Sequence, residues 1–217
     1  EGGFDSHIEN SIRGYANLFN DIIKVSRYFV DNESKVVDIG CSTGRLVKQM
    51  FETNKDIAPN TDYIGIEIEE DFFKYLDEKE DKNIQYFKGD VRNYKFNNCG
   101  FITSMFTLQF IKSKDRKKIL KDIYDGLNPG GAFVFSEKII SANSQIQDMM
   151  TFTYYDYKRK HFSEEEILNK EIKLRNMLKP NTIDELSQMS FDAGFDFIQP
   201  FWQNFNFVAF IALKSKI

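Results

Sequence analysis

Cysteine is scarce in this sequence, which has only Cys41 and Cys99 among its 217 residues. Their spacing is not that of a metal site, so we predict no bound metal. We interpret both as reduced thiols, as is typical of a cytoplasmic protein. The sequence also lacks a run of about 18 apolar residues and a recognisable signal peptide, which predicts that it does not enter a membrane.

An excess of positive charge is missing as well. The 29 lysines and arginines are outnumbered by 33 aspartates and glutamates, and the formal net charge is −4. A broad, non-specific nucleic-acid surface needs a basic excess. We therefore expect no direct nucleic-acid binding and predict a small-molecule substrate.

Phenylalanine, by contrast, is abundant, with 22 residues, and aromatic residues make up 15 % of the chain. This composition favours a packed core and aromatic-lined pockets over disorder. The length fits one large domain, and no internal repeat or low-complexity linker divides it. We assign residues 1–217 to a single domain with a helical insert at about 141–180.

Short apolar runs alternate with helical patterns in the first two thirds of the chain. The predicted strands lie at residues 35–39, 62–67, 84–87, 100–106 and 132–137, and the predicted helices at about 8–30, 45–51, 69–78 and 113–127. Such alternation is typical of a parallel sheet with helices on both faces.

The pattern changes after residue 140. Residues 141–180 contain two predicted helices and no strand, and capping boxes beginning at Ser163 and Thr182 mark two helix starts. The runs 195–198 and 204–213 predict a hairpin at one edge of the sheet. The predicted fold is therefore α/β, a doubly wound, mostly parallel seven-stranded sheet with an antiparallel C-terminal hairpin strand and a helical insert.

The segment Gly40–Gly44, with the sequence Gly-Cys-Ser-Thr-Gly, follows the first predicted strand and precedes a helix. Such a turn lets a ligand approach the backbone and meet the unpaired N–H groups of the helix start. The dinucleotide motif G-x-G-x-x-G fails because Ser42 replaces its second glycine. The hydrolase motif G-x-S-x-G fits, but only His7 or His161 could serve as its base. The third alternative is a turn that binds S-adenosylmethionine (SAM).

Two carboxylates downstream favour the SAM alternative. Glu67 ends the second predicted strand, where it could accept hydrogen bonds from both ribose hydroxyls, and Asp90 follows the third, where it could accept one from an adenine amino group. Either could also be an ordinary turn residue. Together they lie at the carboxyl ends of adjacent strands, where open α/β sheets bind ligands.

These residues resemble the class I SAM-dependent methyltransferase pattern, and the chain is most similar to the carboxy-S-adenosylmethionine synthase family. The resemblance extends from Gly14 to Lys214. It is carried by these segments: 38–42 (Asp-Ile-Gly-Cys-Ser), 106–110 (Phe-Thr-Leu-Gln-Phe), 126–132 (Gly-Leu-Asn-Pro-Gly-Gly-Ala), 136–138 (Ser-Glu-Lys), 163–167, 193–195 (Ala-Gly-Phe) and 205–207 (Phe-Asn-Phe).

The resemblance implies a set of residues that contact SAM. Carried over position by position, the contacts fall on Tyr15, Gly40, Cys41, Ser42, Glu67, Ile68, Asp90 and Val91. We add Gly44, the second glycine of the turn, and Met105, which occupies a position in the family's cofactor pocket. Where the family usually has Asp-Asn, this chain has Glu67-Ile68, so Ile68 keeps only a main-chain and packing role.

Two departures concern the chemistry. The family has Asn where this chain has Met105, and it uses an Arg in the second insert helix to bind the extra carboxylate of carboxy-SAM. An ungapped match places Glu171 there. Arg175 or Lys173 could supply a replacement cation, and with Tyr15 they are the candidates for an acceptor or carboxylate contact. Glu171 and Arg175 could equally form an ordinary surface pair one helical turn apart.

The resemblance leaves three functions open. The first is a SAM-dependent methyltransferase of this family with an unknown acceptor. The second is carboxy-SAM synthase itself, which converts SAM and prephenate to carboxy-SAM for tRNA wobble-uridine modification. The third is a non-catalytic SAM-binding subunit or sensor. We also expect a homodimer. The aromatic helix of the insert could cover the pocket, form a dimer contact or simply pack in the core.

Overall fold

The computed structural model describes residues 3–77 and 82–216. The helices are α1 (Phe4–Ser11), α2 (Tyr15–Ser26), α3 (Arg45–Asn54), α4 (Glu70–Asp77), α5 (Ser113–Gly126), α6 (Ser144–Lys158), α7 (Glu164–Met177) and α8 (Ile183–Ala193). The strands are β1 (Lys35–Ile39), β2 (Asp62–Glu67), β3 (Ile84–Lys88), β4 (Cys99–Met105), β5 (Leu127–Lys138), β6 (Phe197–Asn204) and β7 (Phe207–Leu213).

The strands form one seven-stranded sheet in the order β3-β2-β1-β4-β5-β7-β6. Neighbours from β3 to β5 are parallel, whereas β7 runs antiparallel to both β5 and β6. This confirms the predicted fold. From β1 the chain continues to β2 on one side of the sheet, and from β4 it continues to β5 on the other side. The carboxyl ends of β1 and β4 therefore border a crevice.

The central strands are buried on both faces because alternate residues belong to two different clusters. Val36 and Phe101 pack in the cluster that includes α2 and α3, whereas Val37 and Ile102 pack in the cluster that includes α5 and α8. All four side chains are fully buried. A strand buried on both faces needs a continuous apolar run, which is the pattern that identified β1 in the sequence.

The N-terminal helix differs from its prediction. We predicted one helix over residues 8–30, but the structure has α1 and α2, separated at Gly14 with a φ of +79°. Glycine adopts this left-handed conformation without strain. A Cβ on Gly14 would also lie 3.3 Å from the Trp202 ring. The break lets α1 turn towards the glycine turn, where Thr43 donates to Asp5 at 3.2 Å and Arg45 pairs with Glu9 at 2.8 Å.

The remaining elements match their predictions to within a few residues, with β5 and β6 as the exceptions. Strand β5 begins at Leu127 and not at residue 132, because residues 127–131 also pair with their neighbours, and Gly130 N donates to Lys214 O at 2.8 Å. Strand β6 was predicted at 195–198 but extends from Phe197 to Asn204, because it pairs with β7 along its whole length. Both capping boxes are present, at Ser163 and at Thr182. The predicted helix 69–78 is observed as α4, and its residue 78 lies outside the described residues. The single-domain assignment stays a prediction.

Candidate functional site

The turn after β1 is shaped by its close contacts with neighbouring strands. Gly40 has a φ of +74°, and a Cβ there would collide with the Thr107 side chain, so only glycine fits. The N–H groups of Gly40 and Cys41 both donate to Ile66 O, at 2.8 and 3.0 Å. Ser42, with a φ of +50°, points its N–H towards the end of β2. The turn is therefore fixed against two other strands.

Glu67 is the carboxylate that receives this N–H group. It is 4 % exposed, and its Oε2 accepts from Ser42 N at 2.7 Å. Its Oε1 accepts from Ile68 N at 2.8 Å and from Glu69 N at 2.9 Å. An ionised carboxylate has about four acceptor positions, so three backbone donors leave room for only about one more. Glu67 thus ties the turn to β2 and can still accept a ligand hydroxyl.

A cavity of about 450 Å³ opens beside Glu67 at the carboxyl edge of the sheet. Its lining combines the ends of β1 and β2 with the segments after β3 and β4: Ile39, Gly40, Ile66, Glu67, Ile68, Glu69, Gly89, Asp90, Val91, Arg92, Thr107, Phe110, Ile111, Lys112 and Met177. Ile68 is 54 % exposed at this cavity. Apolar side chains beside a buried carboxylate suit a ligand with a flat ring and a hydroxylated sugar.

A smaller cavity of about 110 Å³ lies on the other side of the turn and shares Gly40 and Thr107 with the larger one. Its lining includes α1 as well as the turn: Phe4, Asp5, Ile8, Tyr15, Phe19, Asp38, Cys41, Ser42, Thr43, Arg45, Leu46, Met105 and Phe106. This cavity is more polar, with carboxylates, hydroxyls and a guanidinium. Such groups suit the charged end of an amino acid.

Asp38 is the most deeply buried carboxylate of the smaller cavity. Thr103 Oγ1 donates to its Oδ1 at 2.7 Å. The pKa of Asp38 is raised to about 7: burial is the main cause, Glu67 adds to the rise, and the Thr103 hydrogen bond opposes it. Burial, Asp38 and Asp5 together raise the pKa of the Tyr15 hydroxyl, which stays protonated. A cationic ligand group in this cavity would favour the ionised form of Asp38.

The chemistry of the two neighbouring cavities, which share Gly40 and Thr107, is compatible with the two halves of SAM, and this placement stays a prediction. A chamber with an apolar wall and a carboxylate would hold adenosine, and a polar chamber across a glycine turn would hold the methionine part. Tyr15 and Phe106, whose ring centroids are 6.3 Å apart, both line the smaller chamber and offer aromatic faces to a cation. Of the two residues that line both cavities, Gly40 has no side chain and Thr107 has a small one.

Asp90 has a partner that the sequence did not suggest. Its carboxylate accepts from Arg92 Nε at 2.9 and 3.0 Å and from Arg92 N at 2.9 Å. Arg92 also pairs with Asp115 at 3.1 Å. These hydrogen bonds hold the pKa of Asp90 below its usual value. Asp90 lines the larger cavity, and its contact with adenine stays a prediction.

The predicted contact residues fall into three groups. Those in the larger cavity are Gly40, Glu67, Ile68, Asp90 and Val91, and those in the smaller one are Tyr15, Gly40, Cys41, Ser42 and Met105. Gly44 lines neither; with a φ of +73° it is the N-cap of α3, and a Cβ there would lie 2.7 Å from the Tyr86 hydroxyl. Arg175 and Lys173 are exposed on α7 and line neither cavity.

The environment of Glu171 differs from the surface pair considered above. Glu171 is 8 % exposed, and it pairs with Lys138 at 3.1 Å and with Lys158 at 3.8 Å. Among the described residues it makes no ion pair with Arg175. Lys158 is 3 % exposed, and its ammonium lies 5.1 Å from the Tyr154 ring centroid. The cations beside Glu171 therefore come from β5 and α6, and not from its own helix. We call Lys138, Lys158 and Glu171 the lysine cluster.

Sequence reasoning missed the contribution of α1 and of the segment after β4. Phe4, Asp5 and Ile8 line the smaller cavity only because the break at Gly14 turns α1 back towards the sheet. Thr107 lies between the two cavities, and its place in the Phe-Thr-Leu-Gln-Phe segment was the one available signal.

The order of the strands, the antiparallel β7 and the cavities at the switch point define a class I SAM-dependent methyltransferase fold. Residues 36–131 match the model of a methyltransferase domain. The fold is shared with phosphoethanolamine N-methyltransferase 2 of Haemonchus contortus, solved with phosphomonomethylethanolamine and S-adenosylhomocysteine (TM-score 0.65, 16 % identity, 93 % of this chain and 54 % of that one). Human N-acetylserotonin methyltransferase, solved with SAM, is similar too (TM-score 0.56, 15 % identity, 91 % and 55 %).

Closer relatives are found by sequence. The carboxy-S-adenosyl-L-methionine synthase of Staphylococcus epidermidis is 36 % identical over 213 residues, which cover 97 % of this chain and 92 % of that protein. The enzyme of the same name from Shewanella oneidensis is 32 % identical over 220 residues (98 % and 89 %). The chain belongs to the carboxy-S-adenosyl-L-methionine synthase family.

This membership confirms the predicted enzyme class and cofactor. The chain is a SAM-dependent transferase, which removes the sensor alternative, and SAM is its cofactor. Within the described residues, no helix is long and apolar enough to cross a membrane.

Proposed function

We propose that this chain converts SAM to carboxy-SAM with prephenate as the second substrate, and that the lysine cluster recognises a carboxylate during this reaction. Family membership supports the product, and the resemblance implies the co-substrate. The observation that carries the proposal is the net charge of the cluster. Two lysines and one glutamate sum to one positive charge, so the site stays cationic although Glu171 replaces the family's Arg.

The lysine cluster adjoins the aromatic wall of the smaller cavity. Phe106 contacts Phe207 at 5.6 Å between ring centroids, and Phe207 contacts Tyr154 at 5.2 Å. The ammonium groups of Lys138 and Lys158 lie 5.4 and 5.1 Å from the Tyr154 ring. These contacts form a series of aromatic side chains that runs from the wall of the smaller cavity to the lysine cluster.

Burial makes the net charge of the cluster effective. The side chains of Lys138 and Lys158 are 17 % and 3 % exposed, and Glu171 is the one carboxylate in salt-bridge contact with either within the described residues. Charge-assisted hydrogen bonds to a carboxylate are strong where water is scarce. A second carboxylate beside Lys138 would neutralise the remaining charge. This favours an anionic substrate over a neutral one.

The chain's residues would orient and shield the reaction. Bound SAM would supply a methyl group whose C–H bonds the sulfonium makes acidic: this methyl would lose a proton and gain the carboxyl group that prephenate gives up, while the hydroxide also lost from prephenate would take the proton, leaving phenylpyruvate and water. The aromatic faces of Tyr15 and Phe106 stabilise a cation in the smaller cavity. Gln109 donates to Phe106 O at 3.0 Å and accepts from Lys138 N at 2.8 Å, so it fixes the lysine cluster relative to this wall. The series of Phe106, Phe207 and Tyr154 side chains excludes water.

The test incubates the purified protein with SAM and prephenate and detects carboxy-SAM by mass spectrometry. We expect the product only when both substrates are present. Lys138→Met should lower its rate at least about tenfold while SAM affinity stays within about twofold, because Lys138 lines neither cofactor cavity. The matched control is Lys160→Met, an exposed lysine outside the cluster. Absence of carboxy-SAM with the wild-type protein would refute the proposal.

Methyl transfer to an unknown acceptor is the second candidate. It is favoured by Met105 and Glu171, which replace the family's Asn and Arg at the two positions that the resemblance connects with its special chemistry. Formation of S-adenosylhomocysteine with candidate acceptors, together with no carboxy-SAM from prephenate, would support it.

We further propose that the chain works in the cytoplasm as a homodimer and that its product serves tRNA wobble-uridine modification, as the resemblance implies. Exposed apolar side chains on α6 and α7 support the dimer, among them Met149, Phe152 and Ile172, which are 55 %, 61 % and 54 % exposed. Sedimentation equilibrium of the wild type and of Phe152→Glu tests it. A monomeric wild type would contradict the dimer.

A further inference from the structure

A third cavity, of about 170 Å³, lies between α1, α6 and α7. Its lining is His7, Ser11, Lys158, Phe162, Glu166, Ile167 and Lys170. It shares no lining residue with either cofactor cavity. Helix α1 separates it from the smaller one, because residues 4, 5 and 8 line one side and residues 7 and 11 line the other. We call it the α1 cavity.

Positive charge gathers around the α1 cavity from two helices. Lys158 on α6 shares Glu171, its one salt-bridge partner within residues 3–77 and 82–216, with Lys138. Lys170 on α7 places its Nζ 2.7 Å from His7 Nε2. Glu166 is the one carboxylate of the lining, and its Oε2 already accepts from Ser163 N and Oγ, both at 2.8 Å. The lining thus carries two lysines against one carboxylate, Glu166.

The protonation of His7 depends on these nearby positive charges. Its Nε2 can accept from the Lys170 ammonium only in the neutral form of the ring. Burial lowers the pKa of His7, and Lys170 and Lys158 lower it further. Burial also lowers the pKa of both lysines. An anion in the cavity would relieve the repulsion among all three groups.

We propose that the α1 cavity is a binding site for a small organic carboxylate. Lys158 and Lys170 bind the carboxylate group, and Ser11, whose Oγ lies 3.4 Å from His7 Nε2, offers a hydroxyl beside it. Phe162 and Ile167 form the apolar wall for the body of the ligand. A cavity of about 150 Å³ accepts benzene, so this volume suits an acid with one small ring.

The experiment uses benzoate as the probe and follows the imidazole signals of the full chain by NMR at neutral pH. The sequence has only two histidines, so the variant His161→Gln assigns the remaining signal to His7. We expect a saturable shift of the His7 signal with benzoate and none with benzamide, which has a similar shape without the charge.

Two variants separate the site from a general charge effect. Lys170→Gln should weaken benzoate binding up to about fivefold, the size expected for losing a partly exposed cation. Lys160→Gln removes an exposed lysine that does not line the cavity, and binding should stay unchanged. The proposal is overturned if benzamide shifts the His7 signal as benzoate does, if no shift saturates, or if both variants behave alike. Since the titration contains no SAM, its failure would leave the proposed function intact.

Discussion

Glu67 and Glu171 are both buried carboxylates at the carboxyl edge of the sheet, but they are held in different ways. Glu67 accepts three backbone N–H groups, two of them from the next two residues in the chain. Glu171 pairs with two lysine side chains, which come from β5 and α6. One carboxylate is fixed by the main chain and the other by side chains from separate elements.

The difference has consequences for what each site tolerates. Among substitutions of a donor residue, only proline removes its backbone N–H, so the surroundings of Glu67 depend mainly on Glu67 itself. The lysine cluster depends on three side chains, and its net charge changes when any one of them changes. We therefore expect the glycine turn to keep its predicted role in SAM binding. Differences in substrate recognition between this chain and its relatives should arise at the lysine cluster.

The largest effect is expected for Glu67→Gln, which turns an amide N–H₂ group towards at least one backbone donor. We expect SAM affinity to fall at least about 100-fold and the free energy of unfolding to fall by about 3 kcal/mol, because hydrogen bonds to a charged group each contribute about 1.5–3 kcal/mol. Calorimetry and chemical denaturation measure the two quantities. Glu70→Gln is the control, since Glu70 is exposed and lines neither cavity. SAM affinity within about threefold of wild type would refute the placement of the cofactor.

A smaller effect, on stability and not on SAM affinity, is expected for Glu171→Arg. It brings a third cation beside Lys138 and Lys158 and leaves two lysines without their carboxylate. Breaking a buried ion pair costs about 3–5 kcal/mol, so we expect the free energy of unfolding to fall by about 3 kcal/mol.

Glu165→Arg, an exposed position on the same helix, is the control and should change stability by less than about 0.5 kcal/mol. SAM affinity should stay within about threefold in both variants. Equal stability losses in the two would show that the lysine cluster is not a tightly coupled unit.

The smallest effect concerns Asp38, a carboxylate with a single side-chain donor. Its pKa is raised to about 7 in the folded protein, so the folded state binds a proton that the unfolded state releases at lower pH. Stability from this group is therefore largest in acid and falls as the pH rises, by about 2 kcal/mol between about pH 5 and about pH 7.

Asp38→Asn should remove this part of the pH dependence. Glu137, whose pKa burial raises to about 8, contributes with the same sign and stays in both proteins. The measurement is therefore the difference between the unfolding curves of wild type and variant across this pH range. A difference that does not change with pH would contradict the raised pKa.

Much of the cofactor site could be predicted because its residues are close to strand ends. Gly40, Glu67 and Asp90 follow apolar runs whose lengths identify buried strands, and parallel strands end at the same edge of a sheet. The three backbone donors of Glu67 could not be predicted, because they depend on the conformations of the turn and of the residues after β2. The Arg92 partner of Asp90 was likewise hidden, although it is only two residues away.

The sequence by itself determined the alternation of strands and helices, the glycine turn, both capping boxes and the resemblance that identified SAM. Those features are local, because each depends on residues that are close together in the sequence. Only the tertiary structure decided that the first helix breaks at Gly14, that α1 lines two cavities and that Glu171 meets Lys138 and Lys158. These features depend on contacts between residues far apart in the chain, and the hydrophobic pattern of one segment does not specify which side chains of another will face it.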